Sequence, residues 1–190
     1  MSSSLRVLGV AGSLRTKSLN RALLRAAKEL APPGMEIQEV DLAPIPLYNA
    51  DVEAAGLPEA VAAFKGAIRE ADALLFVTPE YNHGVPGVLK NAIDWASRAA
   101  SGETPVLNGK PAGLMGATPG MGGTMRAQLQ LRQAFVFTQT YPLAAPEVAV
   151  SKAHEKFDAE GRLVDEATRQ VVAAYLVRLA AWTRLLSGKA

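Results

Sequence analysis

Cysteine is missing from this sequence altogether, and histidine occurs only at His83 and His154. The first absence excludes disulfides, thiol nucleophiles, thiolate metal sites and iron–sulfur clusters, and agrees with a reducing compartment. With two histidines a histidine-rich metal centre is not expected, and no metal is assigned. No apolar run reaches the roughly 20 residues of a membrane-spanning helix. Met1-Ser2-Ser3-Ser4 is too short for a secretion signal and lacks its charged and apolar segments, so a cytoplasmic protein is expected. An excess of one charge is lacking too: 20 Lys and Arg stand against 18 Asp and Glu, a formal net charge of +2. A balance so near neutral gives no electrostatic footprint for nucleic acid. Repeats, low-complexity tracts and linker-like stretches are also missing.

What is present is an ordinary globular composition, 49% hydrophobic and 20% charged over 190 residues. At roughly 150 residues per domain the chain reads as one domain, 1–190. A chain of this size buries about 70% of its unfolded surface, enough for a core without covalent staples.

Apolar runs alternate with segments of helical periodicity. Leu5–Ala11, Glu36–Leu42, Ala73–Thr78, Pro111–Ala117 and Glu147–Val150 read as strands. Ser18–Leu30, Pro58–Ala71, Pro86–Ala99, Gly122–Phe137 and Asp165–Leu186 read as helices, two of them opened by a proline whose missing N–H does no harm there. Strands that are apolar throughout and alternate with helices predict a parallel sheet covered on both faces. Five strands predict an α/β flavodoxin-like fold of order 2-1-3-4-5, with the ligand beyond the carboxyl ends of the strands near the switch point between strands 1 and 3.

The loops after strands 1, 3 and 4 carry the chemistry this topology asks for. In the first, GSLRTKSLN, the hydroxyls of Ser13 and Ser18, the amide of Asn20 and the charge of Arg15 surround the start of a helix, where Leu19 opens a turn of unpaired N–H groups. This predicts a phosphate pocket, although neither GxGxxG nor GxxxxGK[ST] is present; Ser18 by itself reads equally as a plain helix N-cap. The second loop, Thr78 to Gly87, offers Tyr81, Asn82 and His83 as a flat, hydrogen-bonding surface for a planar ring, with Pro79 fixing the path and Glu80 as a partner for Arg15 or a helix-capping acid. In the third, Ala117 to Arg126, Thr118, Gly120, Gly122 and Gly123 allow close approach of a ligand to backbone N–H groups. A phosphate at the first loop, a ring near the other two and no adenine fingerprint point to FMN.

GSLRTKSLN, PEYNHGVPGVLKNAIDW and GGTMRAQLQLRQ together resemble the NADPH-dependent FMN reductase family, with bacterial chromate, quinone and azo-dye reductases as relatives. The resemblance implies tightly held, non-covalent FMN, with Ser13, Arg15, Ser18 and Asn20 on its phosphate. Pro79 to His83 would border the flavin, and Thr118, Gly120 and the following glycines would approach its ring from the other side. NADPH or NADH would be the electron donor and a quinone, azo compound, flavin or metal oxyanion the small-molecule acceptor. The resemblance also implies a homodimer or homotetramer, with Leu89, Ala92, Ile93 and Trp95 of the Pro86–Ala99 helix as one interface and Arg126 and Glu147 as interfacial ions; the same helix reads equally as ordinary core. The cofactor carries the redox chemistry, so no side chain is assigned as an obligatory acid or base. Two other readings stay open: a flavodoxin-like electron carrier without direct NAD(P)H use, which the near-neutral charge disfavours, and a serine hydrolase, for which no GxSxG turn is present.

Overall fold

The structure, a computed structural model, describes residues 4–188; Met1–Ser3, part of the segment read above as too short for a secretion signal, lie outside it. Strands β1 (Leu5–Ala11), β2 (Met35–Val40), β3 (Ala73–Val77) and β4 (Pro111–Ala117) form a parallel sheet in the order β2-β1-β3-β4. The next position is filled by two short segments, β5 (Tyr141–Pro142) beside the start of β4 and β6 (Val148–Val150) beside its end. The predicted order therefore holds. The expected fifth strand is the second of these pieces, and the first carries too few residues for a periodic signal.

Alternation of side chains across the sheet divides the interior in two. Leu5, Val7 and Ala11 of β1 join Leu75 and Val77 under α1 (Leu19–Glu29) and α6 (Glu166–Leu186). Leu8 and Val10 join Leu74 and Phe76 under α3 (Glu59–Glu70), α4 (Gly87–Ala96) and α5 (Met125–Thr138). Both faces are covered, so the central strands are apolar along their whole length: all five residues of β3 are buried.

A short helix, α2 (Ala50–Ala55), was not expected. The Asn49 side chain caps it by accepting from the N–H of Asp51 at 2.8 Å, and Asp51 and Glu53 face its positive end. The segment is tied to α4 rather than free: Asn91 and Trp95 both donate to the carbonyl of Pro46, at 2.8 and 2.9 Å. That helix spends its apolar face inward, for Leu89, Ala92, Ile93 and Trp95 are all buried in the core. Of the two readings left open for it, core packing is the one observed.

The break between β5 and β6 falls opposite the middle of β4, where Leu114 has no strand residue to receive its N–H. The Tyr175 hydroxyl of α6 accepts that hydrogen bond at 2.6 Å from a fully buried position, and burial pushes the phenol up to about 12.

Candidate cofactor site

The register brings three strand ends to one level. Ala11 lies opposite Val77, Val77 opposite Met115 and Ala117 opposite Val150. The ladder runs one residue further at each: Gly12 donates to Val77, Thr78 to Met115 and Thr118 to Val150, at 2.9, 3.0 and 3.0 Å. The three polar loops thus leave the sheet side by side. Between them is an open cleft of about 140 Å³ lined by Ser13, Arg15, Ser18, Leu19 and Asn20 of the first loop, Pro79, Glu80 and Tyr81 of the second, and Ala117, Thr118 and Pro119 of the third.

Its first wall suits a phosphate. The Ser13 hydroxyl oxygen accepts from Arg15 N–H at 3.4 Å, and that of Ser18 accepts from the N–H groups of Asn20 and Arg21 at 3.2 and 3.4 Å. Each hydroxyl uses a lone pair in these bonds and keeps its proton to donate to a ligand. Ser18 is therefore both the N-cap of α1 and a free donor, and the two readings of it do not compete. Helix α1 begins here with no acidic residue in its first turn, which leaves the positive end of its dipole for an anion. The exposed Arg15 guanidinium touches only the carbonyl of Lys17, at 3.2 Å, and pairs with no carboxylate among the described residues.

Asn20 behaves differently from the expectation that its amide grips the phosphate. Nearly buried, it donates from Nδ2 to the carbonyl of Ala117 and accepts at Oδ1 from the same residue's N–H, both at 2.9 Å. This clamp satisfies both backbone groups of the last residue of β4 and ties the first loop to the third. A contact across 97 residues leaves no local trace in the sequence.

The second wall is held by α5. Helix α5 starts from two left-handed residues, Gly123 and Thr124, and has no cap of its own. Glu80 supplies one from a distance: Oε2 accepts from the N–H groups of Arg126 and Ala127 at 2.9 and 3.3 Å, and Oε1 pairs with the Arg126 guanidinium at 3.1 Å. Burial works to raise the Glu80 carboxyl. The N–H of Ala127 and the guanidinium and N–H of Arg126 outweigh it and hold the group below the usual carboxylate range. The capping role foreseen for Glu80 is thus the one seen, and Arg126 serves inside the chain. Directly after Glu80, Tyr81 and Gly84 exchange N–H···O bonds of 3.1 and 2.9 Å around Asn82 and His83, both left-handed. This is a two-residue hairpin turn in which non-glycine residues adopt an uncommon backbone. Gln130 pins it by accepting from Val85 N–H at 2.9 Å.

Asn82 and His83, expected to border the ring, stand exposed at the tip of that turn and do not line the cleft. Neither do Gly120, Gly122 or Gly123. Gly123 is a packing residue: its φ is +53°, and a Cβ there would lie 2.7 Å from the backbone of Ala149. Gly116 of β4 is more demanding, since a Cβ would come within 2.5 Å of the Thr78 carbonyl and run into the Thr124 side chain. Ala117 and Pro119 complete the third wall, and their place follows from the end of β4 rather than from any chemical signal in their side chains.

A family model described as NADPH-dependent FMN reductase matches residues 5–155. Over 188 residues, 99% of this chain and 100% of the other, the sequence is 53% identical to an NAD(P)H-dependent FMN reductase of Pseudomonas aeruginosa. It is 43% identical to an NADPH:quinone oxidoreductase of Arabidopsis thaliana, covering 97% of this chain and 95% of that one. Among solved structures, the flavoenzyme NAD(P)H:(acceptor) oxidoreductase FerB from Paracoccus denitrificans superposes with a TM-score of 0.87 at 34% identity, covering 95% of this chain and 98% of that one.

Proposed function

The chain belongs to the NADPH-dependent FMN reductase family, and from that premise we propose how its residues serve the activity. It is an FMN-dependent NAD(P)H oxidoreductase whose acceptors are small molecules of the quinone class. In our reading azo compounds, flavins and metal oxyanions such as chromate extend the acceptor range. The chain acts as one domain over residues 1–190, in the cytoplasm, as a homodimer or homotetramer.

One observation carries the assignment of the site: two serine hydroxyls, a guanidinium that pairs with no carboxylate among the described residues, and a helix start converge on one wall of a cleft whose other walls are the second and third loops. Ser13, Ser18 and Arg15 would hold the FMN phosphate, with Leu19 at the first helical N–H. Asn20 keeps the first and third loops in register through Ala117. Pro79, Glu80 and Tyr81 on one side and Thr118 on the other would border the flavin; Asn82, His83, Gly120, Gly122 and Gly123 are kept as ring-end contacts on the grounds of the resemblance alone.

Bound FMN supplies an acceptor for the donor's hydride and a source of electrons for the acceptor. The protein's own contribution is orientation and electrostatics. Arg15 and the helix start neutralise the phosphate, Glu80 and Gln130 fix the loop on which Tyr81 stands, and no side chain needs to gain or lose a proton for the ring to be held. No helix among the described residues is long and apolar enough to cross a membrane. The carrier reading has no strongly charged docking face in its favour, given a net charge of +2.

Anaerobic addition of NADPH to the flavin-loaded protein tests the activity. Loss of the oxidised-flavin absorbance at about 450 nm, and its return on adding a benzoquinone, is the expected result. A flavin that stays yellow with both NADPH and NADH would favour the carrier.

A further inference from the structure

On the other side of the first loop lies a second cleft, of about 330 Å³, larger than the one assigned to the cofactor and unused by it. Ser18 and Leu19 line both, so a single turn of chain separates them. The rim of the second cleft carries the exposed cations Lys17 and Arg25, and its floor is Phe157 and Ala22, both buried.

The charges on this rim are unequal in availability. Among the described residues neither Lys17 nor Arg25 is ion-paired. The two acids that line the same cleft, Asp158 and Glu160, are committed to Arg162: Asp158 accepts from its N–H at 2.8 Å and from Nε at 2.7 Å, and Glu160 accepts from Nη2 at 3.4 Å. His154, also on the rim, lies 3.5 Å from Glu155. Two free cations over an aromatic and aliphatic floor make a particular combination. A bare phosphate needs no apolar floor, and an adenine needs no pair of cations. A purine nucleoside bearing an additional phosphomonoester uses both.

We propose that this cleft receives the 2′-phosphoadenosine end of NADPH, with Lys17 and Arg25 on the 2′-phosphate and the base against Phe157, and thereby sets the preference for NADPH over NADH. The proposal rests on the reading of the chain as an NAD(P)H-dependent reductase. Opposite faces of one loop would then hold the phosphate of the cofactor and that of its reductant.

Calorimetric titration of the flavin-loaded protein with 2′,5′-ADP, 5′-AMP and inorganic phosphate reads the site without turnover. We expect 2′,5′-ADP to bind about tenfold or more tighter than either of the others. Lys17→Glu with Arg25→Glu should abolish that difference and raise the KM for NADPH about tenfold while the KM for NADH moves less than twofold. The milder Arg25→Ala should give part of the effect if the double variant fails to fold. Equal affinity for 2′,5′-ADP and 5′-AMP, or discrimination that survives the double charge reversal, would overturn the proposal. Phosphate binding as tightly as 2′,5′-ADP would reduce the cleft to a plain anion site and overturn it equally. Failure of the underlying reductase reading looks different: neither dinucleotide would bleach the flavin, whatever the titrations show.

Discussion

Arg15 and Asn20 stand five positions apart in one loop and do different work, and their substitutions should separate ligand binding from architecture. Arg15→Ala removes an exposed cation whose one bond goes to a neighbouring carbonyl; the melting temperature should stay put while the Kd for FMN rises about 10- to 100-fold, the worth of a charge-assisted contact. Equal FMN affinity in the variant and the parent, by fluorescence titration of the flavin-free proteins, would remove the phosphate from this loop. Asn20→Ala should instead lower stability by about 1–3 kcal/mol or more, because both the N–H and the C=O of Ala117 lose their partner. Tyr175→Phe leaves the N–H of Leu114 orphaned in the core, with an expected loss of about 1–3 kcal/mol in denaturant unfolding. Its pH signature has a definite sign. The folded-state value of about 12 lies above the roughly 10 of an unfolded tyrosine, so the phenol's contribution is complete below that lower value. It is lost as pH rises through the higher one, and Tyr175→Phe should flatten the alkaline limb of the stability curve. The residue types in GSLRTKSLN already announced an anion. The division of labour among them did not show, because it depends on which side chain reaches a strand that lies 97 residues away.

At the scale of elements, the second loop and α5 form one unit joined through Glu80. The carboxylate replaces the cap that Thr124, held in a left-handed conformation with its side chain turned inward, does not provide. The folded-state pKa of Glu80 lies below its usual value, so the stabilisation is present above the roughly 4.3 of an unfolded glutamate and fades as pH falls through the folded value. Glu80→Gln keeps the size but loses the charge and one acceptor. We expect about 1–2 kcal/mol of destabilisation near neutrality, a shallower loss of stability in acid, and weaker FMN retention because Tyr81 is carried on the same loop. Unchanged unfolding curves at pH 7 and pH 4 would show that α5 is anchored by other means. This long-range cap explains where the sequence misled: three glycines within Gly120–Gly123 advertised a turn, but nothing nearby marked Met125 as the first helical residue. Helix α2 was legible in principle from Asn49 and the acids after it and was masked by the prolines before it. The two residues of β5 were not legible at all, since their pairing follows from β4 being long enough to hold two partners.

For the molecule as a whole, buried strands in parallel order are what the alternation of apolar runs and amphipathic segments requires, which is why the sheet and the cleft at its carboxyl edge are legible in the sequence. The outer surface is not, and the oligomer is where this matters. The apolar residues of α4 offered as an interface are consumed by the core. One apolar face left outside belongs to α5, where Leu129, Val136 and Phe137 are 56%, 80% and 83% exposed. Spacings of seven and eight residues put them on one stripe of the helix, the kind of exposed apolar stripe that a partner can cover. If a second copy covers it, sedimentation velocity should find the parent protein as a dimer or tetramer. Val136→Glu with Phe137→Glu should shift it to the monomer, since two facing stripes would then carry like charges. The same variant should still bind FMN through its first loop, because neither residue lines the cleft. A parent that sediments as a monomer at micromolar concentration would leave that stripe without the partner assigned to it.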